Sequence, residues 1–361
     1  MSTAETLFEP YALGPTMLAN RIVMAPLTRN RALPGNIPGP MTVTYYAQRA
    51  SAGLIITEAS PVCPEGHGYP RTPGIHSAEQ TAAWRQVTDA VHAKGGRIFL
   101  QLWHVGRISH PSLQPGGAAP VAPSALKPAG QVWTGSGLED YVTPRALDLD
   151  EIPGIIAAYR QAAGNAKAAG FDGVEVHGAN GYLLDQFLRS SANQRQDAYG
   201  GSLENRARLL LEVVAAVCEV FGADRVGVRI SPLNRFNDID DADPQTTFLF
   251  VANALRPFGL AYLHVLEGDM TGQPAPPVDY AAIKAAFAGP YLANNGYDRN
   301  RAIAAVTSGA ADLIAFGRPF IANPDLPARL QQNAPLAEAN TKTFYAGEEK
   351  GYIDYPALGV L

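Results

Sequence analysis

Three side chains in one short stretch have types that suit oxygen binding and proton transfer. The stretch is Gly173-Val174-Glu175-Val176-His177-Gly178-Ala179-Asn180-Gly181-Tyr182. His177 and Asn180 are donors able to hold a carbonyl or nitro oxygen, and Tyr182 carries a phenolic proton that can be given up. The segment begins as a strand, with β-branched Val174 and Val176 between glycines. It ends in a loop too rich in glycine to continue that strand. A strand-end His or Asn can equally serve loop backbone, so the surrounding elements decide what these three do.

Those elements alternate. Short, mostly apolar runs at 21–26, 54–59, 97–102, 173–178, 226–231, 261–267, 291–296 and 312–317 read as parallel strands buried on both faces. Helical patterns lie between them. Ser77-Ala78-Glu79-Gln80 is a capping box, and Trp84, Val87 and Val91 follow at helical spacing. Asp150 opens a second helix that ends at Gly170, and Ser202 caps a third that Gly222 stops. Residues 41–51, 244–256, 280–287 and 298–308 supply four more. Eight strands alternating with helices predict a single-domain α/β (β/α)8 (TIM) barrel spanning 1–361. A doubly wound sheet is the weaker reading, because no GxGxxG follows any strand.

One connection is out of scale: residues 103–149, rich in Gly and Pro, predict a lid or an extra hairpin after strand three. Residues 7–19, with a Gly14-Pro15 turn, read as a hairpin closing the barrel bottom. The tail 335–361 is irregular but carries Phe344, Tyr345, Tyr352 and Tyr355, so it is expected to wrap the barrel.

Composition narrows the function. Of 361 residues, 47% are hydrophobic and 17% charged, which excludes a disordered chain. The net charge, 28 − 33 = −5, argues against nucleic-acid or anionic-membrane partners. The first ten residues lack a basic-then-apolar signal, and Cys63 and Cys218 form no pair motif. A reducing cytoplasm is the expected location.

Active sites of this fold collect at the C-terminal strand ends. There the chain offers Pro26-Leu27-Thr28-Arg29, Ala59, Gln101 with Trp103, the His177–Tyr182 loop, Arg229, Asn294-Asn295-Gly296 and Gly317-Arg318-Pro319. Gly296, Gly317 and Arg318 follow strands seven and eight, where this fold places its phosphate sites. An amide at Gln101, a guanidinium at Arg229, a hydroxyl at Thr28 and a phosphate site together suit FMN.

These motifs, with Gln101-Leu102-Trp103-His104-Val105-Gly106-Arg107, Asn193-Gln194-Arg195, Tyr199 to Arg206 and Phe316 to Phe320, run through the whole chain in order. In that pattern the chain resembles the Old Yellow Enzyme family of flavin-dependent ene-reductases, nearest its bacterial N-ethylmaleimide, glycerol trinitrate and pentaerythritol tetranitrate reductase branch. The resemblance implies a non-covalent FMN reduced by NADPH or NADH. It implies ping-pong reduction of small α,β-unsaturated carbonyl or nitro compounds, with nitrate esters as further substrates. It places Pro26, Thr28, Ala59, Gln101 and Arg229 around the flavin ring and Gly296, Gly317 and Arg318 on its phosphate. His177 and Asn180 would hold the substrate oxygen and Tyr182 would protonate the substrate; Tyr69, Trp103 and Tyr345 would shape the pocket. A monomer or dimer, and no metal, are expected.

Two departures matter. Many close relatives of that branch carry a second His where this chain has Asn180, and another branch has Cys where this chain has Thr28. The iron–sulfur dienoyl-CoA reductases need a cysteine cluster that two cysteines cannot supply. A phosphosugar lyase or isomerase would want a Lys or carboxylate base at a strand end, and no strand end carries a Lys. A flavin-binding protein without turnover is the remaining rival. His104, Arg107, Arg195, Asp197, Glu204 and Arg206 read as loop structure, and the two cysteines as inert.

Overall fold

The computed structural model describes residues 6–272 and 277–359, so part of the N-terminal segment and the extreme C-terminus read above lie outside the described residues. Eight parallel strands run in chain order: β1 (Ile22–Met24), β2 (Leu54–Ile56), β3 (Ile98–Trp103), β4 (Gly173–His177), β5 (Val226–Ile230), β6 (Tyr262–Leu266), β7 (Tyr291–Asn294) and β8 (Leu313–Phe316). Each pairs with the next, and β8 returns to β1 with Phe316 opposite Met24, so the sheet closes. The predicted (β/α)8 barrel is the fold.

Among the described residues the eight longest helices surround it: α1 (Pro40–Gln48), α2 (Ala78–His92), α3 (Ile152–Ala168), α4 (Leu203–Phe221), α5 (Pro244–Leu255), α6 (Tyr280–Phe287), α7 (Arg299–Thr307) and α8 (Leu326–Gln332), with two shorter ones at Leu183–Leu188 and Arg318–Ala322. Their starts follow local chemistry. Ser77 and Gln80 form a full capping box, and Ser202, Asp243, Asp279 and Asp298 each accept an N–H from the first turn. α3 begins later than its Asp150 suggested. Glu151 turns its carboxylate back to Asp148 N and Arg145, and the helix starts at Ile152.

Strand alternation makes two cores. Outward residues such as Val174, Val176 and Val228 pack against the helices. Inward residues Val23, Leu54, Phe99, Tyr262, Leu292 and Leu313 fill the lower barrel. Two inward glycines make room for rings: a Cβ on Gly227 would lie 2.3 Å from Tyr262, and one on Gly173 2.4 Å from Phe99. The hairpin of Tyr11–Leu13 and Thr16–Leu18 adds Leu13 and Leu18 to this inner cluster and plugs the bottom.

The long segment after β3 holds a hairpin, Gln131–Trp133 with Leu138–Asp140, above a short parallel ladder of Val121–Ala122 with Arg145–Ala146. Arg195 ties it to the β4 side through the Pro123 and Leu147 carbonyls. Arg107 ties it to the loop after β5 through the Asp238 carbonyl, and also donates to the Leu126 carbonyl within the segment. The C-terminal tail wraps the barrel as expected, and its anchor lies after β1. Arg29 donates to the carbonyls of Phe344 and Gly351, and Arg31 to those of Thr343, Ala346 and Glu348. Tyr352 is buried and stacks on Tyr45 at 4.2 Å. Tyr345 departs from the expectation that tail aromatics are covered: it is 63% exposed. None of the described helices is long and apolar enough to cross a membrane.

Candidate active site

The inward face of the barrel turns polar at its C-terminal end. β4 alternates, so Glu175 and His177 point inward, and the sheet register sets His177 beside Arg229 and Arg229 beside His264. Gln101 lies beside Glu175 in the same way. The lower of these residues form a closed network. Gln101 Nε2 donates to Glu175 Oε1 at 2.7 Å, and His264 Nδ1 donates to Glu175 Oε2 at 2.8 Å. Burial pushes the Glu175 carboxyl up, but His264, Arg229 and Gln101 outweigh it and the net shift is down, so the group is a carboxylate. Burial holds His264 below its ordinary range despite Glu175, which leaves it neutral.

This network orients what lies above it. Gln101 gives its NH2 end to Glu175, and no described protein group bonds its Oε1. Arg229 is buried; its Nη2 donates to Asn294 Oδ1 at 3.0 Å, and Asn294 in turn donates to the Ala315 carbonyl. Arg229 Nε, His177 Nδ1 and Trp103 Nε1 are buried with no partner among the described residues. Buried polar groups are nearly always bonded, so a cluster of unengaged ones marks a place for a polar ligand.

The three residues of the β4 loop converge there. His177 and Tyr182 rings meet edge-on at 5.2 Å. Burial, then Arg229 and His264, hold His177 well below its ordinary pKa, so it is a neutral donor. Asn180 sits at φ +60°, a left-handed turn that Asn tolerates. Burial raises the Tyr182 phenol against the opposing bonds from Tyr69 and Asn237, which keeps its proton in place at neutral pH. The Tyr182 and Tyr69 hydroxyls lie 3.2 Å apart. Tyr69 stacks on Trp103 at 5.8 Å, and Trp103 meets Tyr182 edge-on at 4.9 Å. The long β3 segment completes this wall with Val132 and Tyr141.

The remaining candidates ring the mouth. Pro26 and Thr28 are half-buried after β1, and no described protein group bonds the Thr28 hydroxyl. Ala59 is buried after β2, in a turn held by Glu58. That carboxyl accepts Arg29 N and the Tyr46 hydroxyl, and burial pushes it up to about 7. Gly296 follows β7 at φ +69°. Gly317 caps the short helix Arg318–Ala322 without a side-chain bond, and a Cβ there would meet only Leu27, at 3.5 Å. Arg318 is exposed beside it. Tyr345 stands at the rim, outside the buried wall. Burial pushes the Cys63 and Cys218 thiols up to about 12 and 11, in keeping with inert cysteines.

The sequence reading passed over Glu175, His264, Asn234, Asn237 and Tyr141. Only Glu175 had a signal, its two-residue spacing from His177 on one strand face. His264 arrives from β6, and Asn234, Asn237 and Tyr141 from distant loops.

A closed barrel whose C-terminal mouth gathers buried, unengaged polar groups over an ionised network defines a barrel enzyme able to seat a polar ligand. Comparison with known proteins says which. Residues 6–337 match the NADH:flavin oxidoreductase / NADH oxidase family. The chain is 44% identical to 12-oxophytodienoate reductase 2 of Arabidopsis thaliana, over 98% of this chain and 96% of that one. It superposes on the solved structure of morphinone reductase with a TM-score of 0.95 and 51% identity, covering 99% and 98% of the two chains. The Old Yellow Enzyme homologue from Zymomonas mobilis superposes with a TM-score of 0.94 and 45% identity, covering 97% and 99%.

The chain belongs to this NADH:flavin oxidoreductase family, the Old Yellow Enzymes. FMN is its flavin, and a nicotinamide nucleotide its reductant. The residues present fit a flavin. Arg229 Nε is a donor and Gln101 Oε1 an acceptor that no described protein group engages, a pairing that suits a ring with carbonyls beside an N–H.

Proposed function

We propose that this enzyme reduces the C=C bond of small α,β-unsaturated carbonyl or nitro compounds with NADPH or NADH, and nitrate esters as further substrates. The observation that carries the reading is the convergence of His177, Asn180 and Tyr182: two neutral donors and one retained phenolic proton, with no Lys at any strand end. Relatives whose names denote reduction of oxo compounds support it.

Pro26, Thr28, Ala59, Gln101 and Arg229 would hold the FMN ring, and Gly296, Gly317 and Arg318 its phosphate. Bound there, FMN would supply the hydride chemistry that links the nicotinamide to the alkene β-carbon. His177 Nε2 and Asn180 Nδ2 donate to the carbonyl or nitro oxygen. Charge grows on that oxygen as the β-carbon is reduced, so both bonds strengthen toward the transition state. Because neither donor titrates near neutrality, oxygen activation is insensitive to pH there. Tyr182 gives its proton to the α-carbon, and Tyr69, at 3.2 Å, can donate to the oxygen left behind. Tyr69, Trp103 and Tyr345 bound the substrate pocket.

An anaerobic absorption titration tests this. NADPH should bleach the flavin band, and 2-cyclohexenone should restore it. Bleaching without recovery rejects the substrate class. Replacing Tyr182 with Phe should slow the recovery by about 10²–10⁴-fold; an unchanged rate removes Tyr182 as proton donor.

A further inference from the structure

Asn180 differs from a histidine donor in one respect: its side chain has two ends of nearly equal shape and opposite polarity. The substrate oxygen is served only if Nδ2 faces it. Turned over, the amide would present a carbonyl oxygen to an oxygen that gathers negative charge.

The loop after β5 removes that choice. Asn180 N donates to Ser231 Oγ at 2.8 Å, and the Asn180 carbonyl accepts from Asn237 Nδ2 at 2.8 Å. Asn180 Oδ1 accepts from Asn234 Nδ2, also at 2.8 Å. Each of these groups is therefore engaged by residues 231–237, and no described protein group bonds Nδ2. Asn234 is itself an amide, so its own orientation must be fixed. Its Oδ1 accepts the backbone N–H of Phe236 at 3.4 Å and of Met270 at 3.3 Å. A backbone N–H can only donate. The order is therefore set without ambiguity: backbone donors hold Asn234 Oδ1, which turns Asn234 Nδ2 to Asn180 Oδ1, which turns Asn180 Nδ2 outward. Asn234 is wholly buried, so water cannot replace it. Arg189 anchors the loop by donating to the Pro232 carbonyl at 3.0 Å while paired with Asp185 at 2.9 Å.

We infer that Asn234 is a positioning residue that sets the polarity of the substrate-oxygen site by locking the Asn180 amide, and that it couples the loop after β6, through Met270, to that site. The inference rests on the proposed function.

The test is a double-mutant cycle on the FMN-loaded enzyme. Asn234→Leu keeps the bulk and cannot bond. It should lower kcat/KM for 2-cyclohexenone about five- to tenfold, the size of one hydrogen bond. The Ki of cyclohexanone, a carbonyl ligand with no bond to reduce, should rise by a similar factor. Combined with Asn180→Ala, it should change either constant by less than about twofold, because its target is gone. The inference is overturned if Asn234→Leu alone leaves both constants unchanged. It is equally overturned if the full loss persists in the Asn180→Ala background, which would mean a general packing role. If Asn234→Leu does not fold, Asn234→Ala is held to the same criteria. A wild-type enzyme that 2-cyclohexenone cannot reoxidise overturns the proposed function as well; a failed cycle in an active wild type overturns this inference alone.

Discussion

Two sets of buried arginines in this barrel differ in one way. Arg29 and Arg31, after β1, have their guanidinium groups engaged by the Tyr45 hydroxyl and by carbonyls of the C-terminal tail. Arg229, on β5, is buried as well, yet its Nε has no partner among the described residues. Carrying a charge out of water is costly unless bonds replace the water. At Arg29 and Arg31 the tail supplies them, and the groups are structural. At Arg229 the bonding is incomplete, and its place on β5 beside His177 leaves a ligand to complete it.

The comparison predicts opposite responses. Arg29→Leu should destabilise the protein by about 3–5 kcal/mol in urea unfolding, because it strips partners from buried carbonyls. FMN affinity of the folded fraction should hardly change. A loss under 1 kcal/mol would mean the tail does not depend on this anchor.

His104 is another half-engaged buried group: Nδ1 accepts Gly106 N at 3.1 Å, and Nε2 has no partner among the described residues. Burial lowers its pKa from 6.5 to about 4. The unfolded chain takes up a proton near pH 6.5 that the native state refuses until about pH 4. The native state therefore loses stability as pH falls through that window and has its full share above it. His104→Asn, which can still accept the Gly106 N–H, should remove on the order of 3 kcal/mol of that acid sensitivity. Unfolding curves at pH 7 and pH 4 measure it; equal slopes for both proteins would reject the reading. His67, lowered to about 3 by burial and by His76 and His104, will keep part of the dependence in either protein.

Arg229→Leu should weaken FMN binding by roughly ten- to a hundredfold, about 1.5–3 kcal/mol for bonds to a charged group. Flavin fluorescence on titrating the apoprotein reads it. Undiminished affinity would break the comparison at its centre. Thr28→Ala should give the smallest effect, about fivefold or 1 kcal/mol in the same titration, since one neutral hydroxyl is lost. A change in thermal midpoint without a change in affinity would instead place Thr28 with the structural set.

The barrel was legible in the sequence because its information is local. Short, mostly apolar runs, Ser and Asp caps and glycine stops mark the strands and helices, and strand ends in this fold point to one face. That is why His177, Asn180, Tyr182, Gln101 and Arg229 could be named together from the chain. Residues 7–19 and 103–149 were also legible as a bottom hairpin and an inserted loop, since turn residues and length announce both.

The sequence could not say which way each amide faces, which arginine is complete and which is not, or that Tyr345 stands exposed at the rim. Those properties depend on partners from far along the chain: Glu175 for Gln101, Asn234 for Asn180, the tail carbonyls for Arg29 and Arg31. Side-chain type and spacing determined what groups reach the mouth. Only the closed barrel and its loops determined which of their hydrogen bonds are already made, because that is a matter of three-dimensional neighbours rather than of local pattern.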